Sequence, residues 1–132
     1  MKRSSLKRYS LKRSQREAEA KPFRDGLIAK VGYCEKCGVA GQGNGHPNAR
    51  LCVHEIANGP LRQKALDQPY AVLVLCWPCN GLATDKGTWP EAEQLACLKI
   101  NRPEDYDLKA YNRLVNERAP NRITEEEVDQ FT

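Results

Sequence analysis

The sequence contains no apolar run near the roughly 20 residues needed to span a bilayer. Its longest, Tyr70 to Trp77, has the length of one buried strand. Aromatic residues are scarce at 7%, and only 40% of the chain is hydrophobic, so part of it is expected to stand outside any core. Acids are missing altogether from residues 1–16. Nothing at the N-terminus resembles a secretory leader, which argues against a disulfide scaffold for the six cysteines and points to a reducing, intracellular setting. These absences disfavour membrane-spanning and secreted classes, and no membrane partner is expected.

What is present is organised around two short motifs. Cys34-Glu35-Lys36-Cys37 and Cys76-Trp77-Pro78-Cys79 are Cys-x-x-Cys knuckles, each able to bring two thiolates to one ion from a single tight turn. Together they supply the four sulfurs of a tetrahedral structural Zn²⁺ site. One such pair alone is ambiguous between metal, redox chemistry and chance; two pairs flanking a strand-and-loop insert are specific. Another grouping, Cys34, Cys37, His46 and Cys52, would leave Cys76 and Cys79 without a partner and ranks second. Cys97 falls in a helical apolar stripe and reads as core packing. At 132 residues the chain is one domain, small enough to benefit from a metal staple.

The net charge of +4 conceals an asymmetry. Seven basic residues (Lys2, Arg3, Lys7, Arg8, Lys12, Arg13, Arg16) lie in the first sixteen. Removing them from the 21 leaves 14 basic against 17 acidic residues, a balance of −3 for residues 17–132. The segment carries a five-residue repeat, Lys-Arg-Ser-Ser-Leu, Lys-Arg-Tyr-Ser-Leu, Lys-Arg-Ser-Gln-Arg, with too little apolar surface to order itself. Residues 1–22 are therefore expected to form a disordered basic arm. Its functional reading is contact with DNA phosphates, and its bland reading is a solvated tail.

Ser14 and Glu17 have capping-box spacing for a short helix that ends near Pro22. Phe23, Leu27 and Val31 then mark a helix leading into the first knuckle. The glycine-rich 38–48 segment reads as loop, Leu51–Ile56 as a strand, Leu61–Leu66 as a short helix and Tyr70–Leu75 as a second strand. A helix over 80–86 follows the second knuckle. Thr88-Trp89-Pro90-Glu91 caps another helix, which runs to about Ile100 with Leu95 and Leu98 inward and is broken at Arg102-Pro103. Leu108, Tyr111, Leu114 and Val115 mark a further amphipathic helix, and Thr124 caps a last one, expected to be peripheral.

The order knuckle, strand with a histidine, strand, knuckle, helix resembles the zinc-supported HNH (ββα-metal) endonucleases, particularly small phage-type forms. The resemblance covers about residues 30–86, and the Trp-Pro-Glu and Arg-Pro-Glu-Asp-Tyr-Asp-Leu segments are similar to parts of small phage HNH-like proteins. It implies an α+β fold: a ββα-metal, treble-clef-like core over 23–86, with a C-terminal helical extension over 87–132 packed on it. It also implies a metal-dependent endonuclease acting on DNA in the cytoplasm of a bacterial or phage-infected cell. In that family the zinc is structural, a second ion (Mg²⁺ or Mn²⁺) acts on the scissile phosphate, and a histidine activates the attacking water.

Carried over by residue, His54-Glu55-Ile56 stands where the family has His-His-Ile or Asp-His-Ile. His54 is then the metal ligand or base, and Glu55 occupies the usual position of the general-base histidine. The middle asparagine position is Ala71, and the histidine after the second knuckle is Asn80. A Leu-Cys-x-x-Cys-Asn ending resembles phage resolvases of branched DNA, in which that asparagine can ligate the catalytic metal. The catalytic candidates are therefore His54, Glu55 and Asn80. Residues 54 and 55 should point to opposite faces of a regular strand. The alternative for His54 is a half-buried strand residue. Arg62 is a phosphate-binding candidate through its planar fork, or a solvated helix residue. The departures at 55, 71 and 80 support a different class: a non-catalytic zinc module that binds nucleic acid or a protein partner. A partner-binding role for the Trp-Pro-Glu and Tyr-Asp-Leu helices would show as an exposed apolar patch on them.

Overall fold

The computed structural model of the chain describes residues 2–41, 50–57, 62–84, 89–116 and 123–132, with backbone alone at 2–10, 62, 84 and 116. Among these, six helices surround one two-stranded sheet, so the fold mixes helix and sheet. The order is α1 (Lys2–Val31), β1 (Leu51–Glu55), α2 (Arg62–Ala65), a 3-10 turn (Pro69–Ala71), β2 (Val72–Cys76), α3 (Trp77–Thr84), α4 (Glu91–Asn101), α5 (Leu108–Asn116) and α6 (Glu125–Asp129). No helix among the described residues is long and apolar enough to cross a membrane.

The first 31 residues depart from expectation. In place of a disordered arm, a break at Pro22 and a second helix, α1 runs unbroken from Lys2 through Pro22. Its second half is held by packing: Ala20 and Leu27 are buried, and Phe23, Ile28 and Val31 lie against the core. Once that half is fixed, the Lys, Arg, Leu and Gln residues before it need only propagate an existing helix, and they are good helix formers. Counting apolar surface alone overlooked this, because propagation needs no new nucleus. Gly32, at φ 75°, ends the helix in the left-handed conformation a side chain resists.

β1 and β2 pair antiparallel in an unbroken register, from Leu51 opposite Cys76 to Glu55 opposite Val72. All five β2 residues are buried, as a near-continuous apolar run requires when helices cover both faces. The core cluster gathers Leu27 of α1, the inward residues of both strands, Leu95 and Leu98 of α4, Tyr111 of α5 and Val128 of α6. α6 is thus less peripheral than its sequence indicated. Val128 is fully buried, Lys99 reaches both Glu125 and Asp129, and Thr124 caps the helix by accepting from the Glu127 amide. Trp89, which opens the Trp-Pro-Glu segment, and Leu108, which closes the Tyr-Asp-Leu segment, are both buried in this core.

Candidate metal centre and adjoining cleft

The first knuckle is built by a tight hairpin directly after α1. Cys34 N–H donates to Val39 O, Tyr33 and Ala40 form a β-bridge, and Gly38 N–H donates back to Cys34 O at 2.8 Å. Gly38 sits at φ 81°, the left-handed turn position that lets both sulfurs face one point. The second knuckle is the junction of β2 and α3: Cys76 closes the strand, and Cys79 lies in the first turn of the helix.

The sulfurs of Cys34, Cys37, Cys76 and Cys79 all lie within 4.8 Å of one another, a cluster that could hold a metal ion. Zn–S bonds of about 2.3 Å in a tetrahedron imply S···S edges near 3.8 Å. Cys37 Sγ and Cys76 Sγ stand 3.7 Å apart, so the donor set fits zinc in chemistry and in spacing. All six cysteines are free thiols, which removes the disulfide reading. Burial opposes a thiolate at Cys34, but the backbone amides of Cys37, Cys76 and Lys36 outweigh it and bring the thiol down to about 7. Cys37 is the exposed member of the cluster, which gives an ion or a chelator a route to the site. Cys52 stays outside it and donates its S–H to Leu75 O. His46, the remaining member of the rival grouping, lies outside the described residues.

Two residues that the sequence reading did not single out brace this centre. Glu35, inside the first knuckle, has its backbone N–H on Val74 O, and its side-chain Oε1 accepts from Val74 N–H at 2.7 Å. Its Oε2 accepts from Arg102 Nε at 2.9 Å, with both side chains almost wholly buried. Arg102 also donates to Val72 O, Pro69 O and Asp105, so that with Glu35 four of its five N–H donors are used. Cys97 and Asn101 both donate to Glu35 O, so Cys97 serves the brace as well as packing. The signal available in the sequence was an acid between two cysteines and an arginine at a helix break, and neither pattern names its partner.

On the opposite edge of the hairpin lies a cleft of about 1610 Å³ between α1, β1 and the start of α3. His54, Glu55 and Asn80 all line it, together with Arg13, Arg50 and the exposed Trp77. The strand is regular here, and the two side chains on β1 go to different elements, as alternation requires. His54, 5% exposed, pairs through Nε2 with Gln94 Oε1 of α4 at 2.9 Å. Glu55, 6% exposed, faces Arg24 of α1, with an Oε1–Nη1 separation of 3.3 Å. Arg24 further donates to Val53 O and Leu66 O. Asn80 is half-buried on α3, and Ala71 is fully buried at the foot of β2.

The Gln94 amide is itself oriented, since its Nε2 donates to Trp89 O at 2.9 Å. Its oxygen therefore accepts from His54, which places the ring hydrogen on Nε2. Gln94 is another residue that periodicity could assign to the inner face but not to a role. Arg62 lies on α2 with its side chain outside the described part, and the same holds for the side chains of Lys2, Arg3, Lys7 and Arg8 on α1. No protein-family model, curated protein or solved structure matches the chain.

Proposed function

We propose that the chain is a zinc-stapled, HNH-like endonuclease that hydrolyses DNA phosphodiesters in the cleft between α1, β1 and α3. The observation that carries this reading is the fixed orientation of His54 at the cleft wall. Nε2 of the ring is committed to Gln94, so Nδ1 is the nitrogen through which His54 would act on a water in the cleft. A general base held from behind by a buried, oriented partner is the arrangement that water activation needs. Asn80 lines the same cleft and offers an amide oxygen of the kind Mg²⁺ or Mn²⁺ accepts. Such an ion would polarise the phosphate and offset charge on the leaving oxygen. In this scheme His54 takes the proton of the attacking water, Arg13 and Arg50 supply positive charge to the phosphate, and the four cysteines hold zinc without touching the reaction.

A second reading is favoured by one specific observation. Glu55 is matched by Arg24 and buried, which disfavours it as a metal ligand or base. Its role is then to seat α1 against β1, and a cleft in which Glu55 is not available for catalysis suits a module that only binds nucleic acid.

Plasmid nicking by zinc-loaded protein with Mg²⁺ or Mn²⁺ separates the two. The nuclease reading expects cleavage that EDTA stops, that excess Mg²⁺ or Mn²⁺ restores, and that falls by about 10²–10⁴-fold in His54→Ala. No cleavage of duplex or branched DNA, from protein shown to be folded and metal-loaded, would leave the binding module.

A further inference from the structure

One face of α1 changes character along its length. Val31, Leu27, Phe23 and Ala20 recur at helical spacing on the side packed against the core. Continuing the spacing toward the N-terminus gives Arg16 and Arg13, with Lys12 beside them. The apolar face of the anchored half thus becomes a cationic face where the helix passes α2. Arg16 is the hinge between the two: its guanidinium makes two hydrogen bonds to Asp67 and a third, from Nε, to Gln63 O.

Beyond that anchor, Lys12, Arg13, Arg16, Gln63 and Lys64 line a groove of about 510 Å³ between α1 and α2, with no acidic residue lining it among the described residues. Gln63 Oε1 is the buried side-chain polar atom that lacks a hydrogen-bond partner among the described residues. A groove walled by Lys12, Arg13 and Lys64 suits a phosphodiester backbone. Arg13 lines both this groove and the cleft that holds His54 and Asn80, so the two are adjoining parts of one surface.

The geometry points to the α1–α2 groove as a seat for the phosphate backbone of a DNA strand, which continues past Arg13 into the cleft. This rests on the reading of the cleft as a nucleic-acid site but not on hydrolysis there. It replaces a loose basic tail with a built surface, and so makes binding depend on named side chains of the groove.

The test is binding of the full-length, metal-loaded protein to a short fluorescent DNA, as duplex and as single strand, across a salt series without Mg²⁺ or Mn²⁺. The Lys12→Glu/Lys64→Glu variant is compared with Lys30→Glu/Lys109→Glu, which changes net charge equally at exposed positions lining neither groove nor cleft. Circular dichroism and metal content establish that each is folded. The groove variant is expected to lose at least about tenfold in affinity and to flatten the salt slope by about 2, while the control pair stays close to wild type. Equal losses in both variants would reduce the effect to net charge and overturn the groove. So would an unchanged groove variant, or wild-type protein that does not bind. Binding that follows this pattern in a protein that nicks no plasmid would uphold the groove and defeat hydrolysis.

Discussion

The two edges of the β1–β2 hairpin are finished in opposite ways. In a two-stranded antiparallel sheet, alternate residues of each strand point their N–H and C=O groups outward with no strand to receive them. On β2, Val72 O, Val74 N and Val74 O are among these, and they are taken up by Arg102, by the Glu35 carboxylate and by the Glu35 amide. The side chains that close this edge, Arg102 and Glu35, are 3% and 0% exposed. On β1 the corresponding group Val53 O meets Arg24, whose side chain is 23% exposed, and the rest of that edge looks onto the cleft. One edge is sealed around the metal centre and the other is left accessible. The same hairpin thus separates the part that holds the fold from the part proposed to do chemistry.

The largest expected effect is on the sealed side. Structural zinc contributes about 10–16 kcal/mol in small zinc-dependent folds. Cys76→Ser, or exhaustive chelation, is therefore expected to abolish the cooperative thermal transition, read by circular dichroism beside metal analysis. An apo chain that melts cooperatively near the holo temperature would break the comparison at its root.

Next comes the buried pair. Removing one partner of a buried ion pair costs about 3–5 kcal/mol, because the other charge is left uncompensated. Arg102→Met should lower the urea midpoint accordingly, and adding Glu35→Gln should recover part of the loss. On the open side, Arg24→Met also leaves a buried carboxylate, Glu55, but beside a cleft that admits water, so its cost is expected below that of Arg102→Met, at about 2–3 kcal/mol. Equal losses at Arg24 and Arg102 would mean that the edges do not differ as described.

The smallest effect concerns the anchor of α1. Arg16 holds the Asp67 carboxyl below its ordinary value through their hydrogen bonds, against the burial that would raise it. A depressed carboxylate stabilises the docked form above its unfolded pKa of about 3.9 and loses that contribution as pH falls through the lower folded value. Hydrogen exchange of amides around Arg16 is expected to be protected near neutral pH and to lose protection in acid, with Asp67→Asn unprotected throughout. A pH-independent pattern would show that the ion pair does not dock the helix.

Much of this architecture is legible in the sequence because it rests on local spacing. Two Cys-x-x-Cys motifs identify the four sulfurs, a continuous apolar run places β2, and helical spacing and capping residues place the helices from α4 onward. What was not legible depends on long-range pairing. Glu35 and Arg102 are 67 positions apart, and no local pattern says that a knuckle acid will fill a strand edge. Gln94 is a polar residue next to the inward Leu95 of α4, and only the fold brings it to His54, 40 positions away. The continuity of α1 through Pro22 was hidden for a different reason. Composition measures whether a segment can order itself, and the basic half of α1 is ordered by the half that follows it.

The most direct test of the account is a Co²⁺ titration of the metal-stripped full chain, comparing wild type, Cys76→Ser and His54→Ala by absorption. The account expects one equivalent bound in a tetrahedral thiolate spectrum, lost in Cys76→Ser and unchanged in His54→Ala. No thiolate spectrum in wild type, or one that His54→Ala alters, would contradict the separation of a structural metal centre from the cleft.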